Sequence, residues 1–214
     1  MTSTTPYGVL VADKNYPGSL QTWLDHDSLP STLLVAQAEQ YLYRRLRLRE
    51  MLAIHEDTIP EGEDKVEAPP RYLEPRTVTL VGGTRRELRH QLPEHIERYR
   101  TYEEDGALVR GEPGRYYVDG SHMRFETAAE RDYPFRMVFY QQPEPLGPGN
   151  ERNVLTEKGF RLLLCTAVAF GHEWLDDERE RERWLGAAER EMQVMQAESD
   201  KAMSRNLDTP FFAE

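Results

Sequence analysis

Apolar positions along this chain recur at helical spacing in two long stretches and alternate in a third. From Thr156 to Ser204 the spacing predicts a helical hairpin. Phe160, Leu163, Leu164, Ala167, Phe170, Gly171 and Trp174 form one stripe, and Leu162, Cys165 and Ala169 cover a second side. A helix apolar nearly all round is normally enclosed by other elements. The break at Leu175-Asp176-Asp177 precedes a longer helix that carries Trp184, Leu185, Ala188, Met192 and Met195 on one face. The second helical stretch runs from Pro30 to Arg49. Val35, Ala38, Leu42 and Leu46 mark one face and Leu34, Tyr41 and Leu48 the adjoining one, with Pro30 at the first helical position. Leu20 to Leu24 predicts a brief helix.

The texture changes at Met51. Met51-Leu52-Ala53-Ile54 leads into a polar loop, Pro60 to Asp64. Thr77 to Leu80 and Arg86 to Arg89 flank Gly82-Gly83, a hairpin signal; Arg115 to Val118 and His122 to Phe125 bracket Asp119-Gly120-Ser121, another. Pro93 opens a short helix, Glu94 to Glu103. Tyr133 to Tyr140 alternates, with Phe135, Met137 and Phe139 on one side. The fold class expected is α+β, a helical bundle core with an inserted antiparallel β module. Residues 1–29 are read as an N-terminal lead, 30–50 and 153–204 as the helical core, and 51–140 as the inserted module. Residues 141–152, rich in Pro and Gly, are the linker, and 205–214 a C-terminal arm.

Composition narrows the function classes. At 214 residues the chain buries roughly 70% of its unfolded surface, enough to fold without staples. A net charge of -11 argues against a protein whose main task is gripping nucleic acid, because phosphates are held by Lys and Arg. The longest apolar run, Leu162 to Phe170, is interrupted by Thr166 and falls short of the ~20 residues of a membrane span. Met1 to Tyr7 lacks the charged and apolar regions of a signal peptide, so the expectation is a soluble protein that stays where it is made. The single cysteine, Cys165, sits mid-helix among apolar neighbours and is expected to be a core residue in a reducing compartment.

No stretch of the sequence carries a complete catalytic motif. His172-Glu173 begins a zinc-protease motif, but Asp176 stands where the second His is needed. The run from Asp176 to Arg183 reads as a helix start followed by i,i+3 ion pairs, with Asp177 and Glu180 spaced as a capping pair. Neither Gly82-Gly83 nor Gly147-Pro148-Gly149 is followed by the Lys-Ser/Thr of a phosphate loop. The expectation is a non-enzymatic protein with no catalytic residue, metal or cofactor.

Two segments suggest partners instead. Arg44, Arg45, Arg47 and Arg49 crowd the end of the second helix. Cations there complement the helix dipole by about 0.3–1 kcal/mol each; the same residues suit DNA phosphates or an acidic partner surface. At the C-terminus, Pro210, Phe211 and Phe212 place adjacent aromatics on an arm, the residue type that anchors in a partner's pocket.

Taken in order, the chain resembles the head-to-tail adaptor (connector) proteins of tailed bacteriophages. The matching stretches are Leu33-Leu34-Val35-Ala36-Gln37-Ala38-Glu39-Gln40 through Leu46-Arg47-Leu48-Arg49-Glu50-Met51, and Glu87-Leu88-Arg89 into Pro93-Glu94. Gly114-Arg115-Tyr116-Tyr117-Val118, Phe139-Tyr140 and the closing helical pair to Trp184 follow. The resemblance spans about residues 28–200, as a fixed order of apolar and turn residues. It implies a virion protein made in the bacterial host cytoplasm, forming a ring of twelve copies under the portal protein. A tail or nozzle protein would follow it, and double-stranded DNA would pass through the lumen unbound, with no membrane involved. It implies no catalytic residue, and a C-terminal segment that reaches the portal. A second reading is a nucleic-acid-binding module using Arg44 to Arg49 and Arg85 to Arg100.

Overall fold

A computed structural model describes residues 5–82 and 86–205. In chain order the elements are α1 (Pro6–Val11), α2 (Leu20–Trp23), α3 (Ser31–Tyr43), β1 (Leu52–Ile59), β2 (Lys65–Glu67), β3 (Tyr72–Leu80), β4 (Arg86–His90) and α4 (Pro93–Tyr99). They continue with β5 (Arg110–Gly111), β6 (Arg115–Asp119), β7 (His122–Phe125), β8 (Ala128–Ala129), β9 (Tyr133–Gln141), α5 (Val154–Lys158), α6 (Phe160–Trp174) and α7 (Glu178–Arg205). The chain divides into two compact units: Met1–Glu50 with Pro143–Glu214, which holds the long helices, and Met51–Gln142, which holds the strands.

The α+β class holds, but the helical bundle expected as the protein's core is corrected: the architecture is that of a nearly closed sheet barrel. Seven strands lie in the order β1-β9-β3-β4-β6-β7-β2, and the short Pro60–Asp64 loop brings the last strand back beside the first. The reason is in the alternation. Ile59, Val66, Val78, Leu80, Leu88, Tyr116, Met123, Phe125, Phe135, Met137 and Phe139 all turn to one side and make one continuous buried cluster. A twisted sheet with a single apolar face can enclose that face by curling on itself, without helices to cover it. Along β9 the buried Tyr133, Phe135, Met137 and Phe139 alternate with the more open Pro134, Arg136, Val138 and Tyr140.

The sheet also contains more strand than the expected pattern gave. β1 extends through His55, Glu56 and Asp57, a charged run read as the approach to a loop; pairing from Leu52↔Tyr140 to Ile59↔Tyr133 makes it strand. β3 begins at Tyr72 and carries register shifts around Pro75, where a missing N–H is tolerated. β3 and β4 pair antiparallel as expected, but β4 meets β6 in parallel, so the sheet is mixed. The β6–β7 hairpin turns through Gly120, whose φ of 48° suits glycine. One buried and one partly buried charge tie the loops down. Glu126 accepts from the Gly114 and Arg115 amides at 2.9 and 2.7 Å. Arg100 donates to Asp64 at 2.8 Å and to the Phe125 carbonyl at 3.0 Å.

In the helical unit, α6 is buried along Leu162, Leu163, Cys165, Thr166, Ala167, Val168, Ala169 and Gly171. Thr166 satisfies its hydroxyl by donating to the Leu162 carbonyl one turn back, at 2.9 Å. A β-carbon on Gly171 would lie 2.2 Å from Leu24 Cδ1, so glycine is what lets α2 pack this close. The predicted hairpin is cut near its start. Asn153 and Thr156 form a capping box that opens the separate α5, and the chain bends at Gly159. Asp177 Oδ1 accepts from the Glu180 amide, and the i,i+3 pairs Arg181–Glu178 and Arg183–Glu180 form at 2.8 and 3.0 Å.

Helix α3 stops at Tyr43, six residues before the predicted end at Arg49. Beyond it Leu46 and Leu48 are buried and Arg47 lies between them. The Gln196 side chain of α7 accepts from the Arg47 amide and donates to the Arg47 carbonyl, both at 3.0 Å, as a neighbouring strand would. Ser199 accepts from the Arg49 amide at 2.7 Å. These tertiary bonds replace the intrahelical ones and let both leucines point inward. On α3 itself, buried Glu39 accepts from the Leu146 amide at 2.9 Å and from Asn153 Nδ2 at 2.6 Å, holding the 143–153 segment. Burial pushes the Glu39 carboxyl above its ordinary range.

Candidate functional site

The side chains of α3 and α6 leave an open groove in the helical unit. Pro30, Leu33, Leu34, Gln37, Gln40, Tyr41 and Arg44 form one wall and Phe170, Glu173 and Trp174 the other, around about 450 Å³. Its apolar residues are unusually open: Leu33 is 55% and Trp174 50% exposed. Helical phase explains this, since α3 buries Leu34, Val35, Ala38 and Leu42 and turns Leu33, Gln37 and Gln40 outward. Edge-to-face contacts set the rings: Tyr41 against Phe170 at 5.5 Å and His26 against Trp174 at 5.3 Å. Trp23, 49% exposed, meets Trp184 at 5.8 Å. Exposed aromatics held in fixed orientation are the composition of a binding surface's anchor points. The groove is not legible in the sequence because Phe170 and Trp174 belong to an apolar stripe that reads as enclosed, and Leu33 falls outside both faces assigned to its helix.

The four arginines of the second basic-looking helix end are placed differently from one another. Arg44 caps α3 and lines the groove, and Arg45 lies 3.7 Å over the Tyr41 ring. Arg47 turns back to donate to the Tyr43 and Leu46 carbonyls at 3.2 and 2.8 Å, neutralising the helix end. Arg49 is exposed and lies 3.6 Å from Glu50. The helix-dipole role is therefore carried mainly by Arg47, while Arg44 and Arg49 face outward. Pro210, Phe211 and Phe212 lie outside the described residues.

In the strand unit two arginines of the Arg85–Arg100 segment have local partners. Arg85 lies outside the described residues; Arg86 pairs with Glu112 at 3.0 Å, and Arg100 with Asp64 and Glu97 at 2.8 and 3.4 Å. Nearby Arg115 stacks 4.0 Å over Tyr99. Cations held by carboxylates within the chain have less to offer a phosphate backbone.

The chemical candidates resolve into structure. Cys165 is buried, and burial pushes its thiol up, away from the thiolate form that nucleophilic chemistry needs. His172 Nδ1 lies 3.6 Å from Asp177 beside the start of α7. Among the described residues no group of three or more His, Cys, Asp or Glu is placed to hold a metal, and no helix is long and apolar enough to cross a membrane.

Comparison with known proteins gives one match over most of the length. The family model described as SU10 adaptor protein matches residues 18–209. It spans both units, from α2 beyond the end of α7. No curated protein matches the chain. The groove, the basic turn and the barrel are thus features of a chain that belongs to the SU10 adaptor protein family, a family of phage head-to-tail adaptors.

Proposed function

We propose that this adaptor is a structural virion protein that assembles into a ring of twelve copies beneath the portal protein. In this reading it joins the capsid to a tail or nozzle protein, and packaged double-stranded DNA passes through the lumen without specific binding. The observation that carries the assembly reading is the open aromatic groove of the helical unit. Leu33, Phe170 and Trp174 stand together along one open groove, with the Phe170 and Trp174 rings held in place by edge contacts, and subunits of closed rings complete such burial with their neighbours. The net charge of -11 agrees with a conduit, because every cation on a lumen wall would hold passing phosphate. The residues expected to meet partners are Arg44, Arg45, Arg47 and Arg49 on the basic turn, and Pro210, Phe211 and Phe212 on the arm.

The test is particle mass in solution, alone and with a purified portal ring. A ring formed alone or on docking is the expected result, and a chain that remains monomeric with the portal refutes the proposal. The competing nucleic-acid-binding reading is tested on the same protein with free duplex DNA across a salt series. It requires tight binding with a steep salt slope that is lost in an Arg44→Ala, Arg45→Ala, Arg47→Ala variant.

A further inference from the structure

The groove has a particular occupant within reach of the chemistry on this chain, and reach decides which copy supplies it. We propose that the α3–α6 groove receives the 206–212 segment of a second copy of this chain, with Phe211 and Phe212 seated against Leu33, Phe170 and Trp174. The inference rests on the self-assembling reading above and names the contact that links one copy to the next.

Helix α7 runs antiparallel to α6: Arg181 pairs with Glu173 at 3.3 Å at one end, and Glu191 with Arg161 at 2.9 Å further along. The Trp174 end of the groove therefore lies beside Arg181. From Arg181 to Arg205 the helix carries the chain away by about 36 Å at 1.5 Å per residue. From Arg205 to Phe212 the chain can return at most about 25 Å, even fully extended. A copy's own phenylalanines fall short of its own Leu33 and Trp174, whereas a neighbour's face no such limit.

Composition then matches occupant to site. Phe211 and Phe212 are the aromatic residues that follow α7, and Pro210 restricts the backbone ahead of them, lowering the entropy lost on docking. The groove offers rings and an aliphatic wall to receive them. Asp208, three and four residues before the phenylalanines, has a counter-charge in Arg44 at the far end of the groove. A head-to-tail contact of this type is heterologous, the kind of interface from which rings are built when its rotation closes.

The experiment uses the full chain with Phe212→p-benzoylphenylalanine, a photo-crosslinking side chain, mixed as isotopically light and heavy protein. The expected product is a light–heavy covalent dimer whose linked peptide contains Leu33, Phe170 or Trp174. Leu33→Asp, at an exposed position where folding is not at stake, should cut its yield at least tenfold. Links confined to one chain, links outside the groove, links only to a portal protein when one is present, absence of a dimer up to the solubility limit, or a yield unchanged by Leu33→Asp would each overturn the proposal. Assembly mass with the portal ring is read on the same samples. A ring whose links lie elsewhere sinks this contact alone, and groove links without a ring sink the ring reading alone.

Discussion

Replacing Gln196 with alanine removes the side chain that makes the 46–48 segment behave as if paired to a strand. Two bonds are lost, the amide and the carbonyl of Arg47, each at 3.0 Å. A bond of this type contributes about 1 kcal/mol net, and a backbone group left unpartnered costs somewhat more. Arg47 is half-buried between two buried leucines, so water can take up part of the loss but not all. Alanine is a slightly better helix former than glutamine, which offsets a few tenths of a kcal/mol in α7. The expected loss is about 2 kcal/mol, or roughly 4–8 °C in Tm for a chain of this size. Urea unfolding of the full chain measures it, and amide exchange at Arg47 reports the site directly. Gln196→Glu separates the two bonds: the carboxylate still accepts from the amide but cannot donate to the carbonyl. It also faces Asp200, to which Gln196 now donates at 2.9 Å. Glutamate should therefore lose at least half as much as alanine. A loss under about 0.5 kcal/mol in the alanine variant, or a glutamate variant as stable as the parent, would refute the reasoning.

Three further outcomes follow from the packing. Gly171→Ala gains up to about 1 kcal/mol of helix propensity, but its β-carbon would meet Leu24 at 2.2 Å; over-packing of about 1–3 kcal/mol should win and leave a net loss near 1 kcal/mol by denaturant unfolding. A Leu24→Ala background should relieve that clash, visible as non-additivity in the double variant. Arg100→Ala strands Asp64 and the Phe125 carbonyl and should cost about 2–3 kcal/mol in the same assay, because the Arg100 side chain is only 11% exposed. Glu39, whose carboxyl is raised by burial from the ordinary 4.5, contributes fully below that value and loses its contribution as pH rises through the raised one. The stability of Glu39→Gln relative to the parent should therefore increase from pH 4 to pH 7, and a decrease would contradict the assignment.

Much of this fold was legible because its signals are local. The stripe on α6, the alternation of Phe135, Met137 and Phe139, and the Asp119-Gly120-Ser121 turn each specify their element within a few residues. What escaped depends on distant partners. β1 carries His55, Glu56 and Asp57 and became strand because β9 lies beside it; α3 ended early because Gln196 and Ser199 lie far along the chain. Closure of the sheet escaped for the same reason, since the return of β2 to β1 is a property of seven strands together. For the candidate site, Arg44 stands out in the sequence and lines the groove, but Phe170 and Trp174 read there as part of an enclosed stripe. Exposure of Leu33 and Trp174 is a matter of helical phase against neighbours that the pattern alone does not identify.

The pairing of β1 with β9 has one more consequence. Leu52 stands opposite Tyr140, so the strand unit begins and ends on adjacent rungs of one ladder. Such rungs lie about 5 Å apart, close to the span of a tight turn. Once that ladder forms, everything between its rungs adds almost no net displacement to the path from Glu50 to Pro143, and closing that long loop is settled by one hairpin-like pairing. The strands and loops between β1 and β9 can thus lengthen, shorten or be exchanged without moving the two ends of that ladder, which makes them a natural cassette for refitting an adaptor.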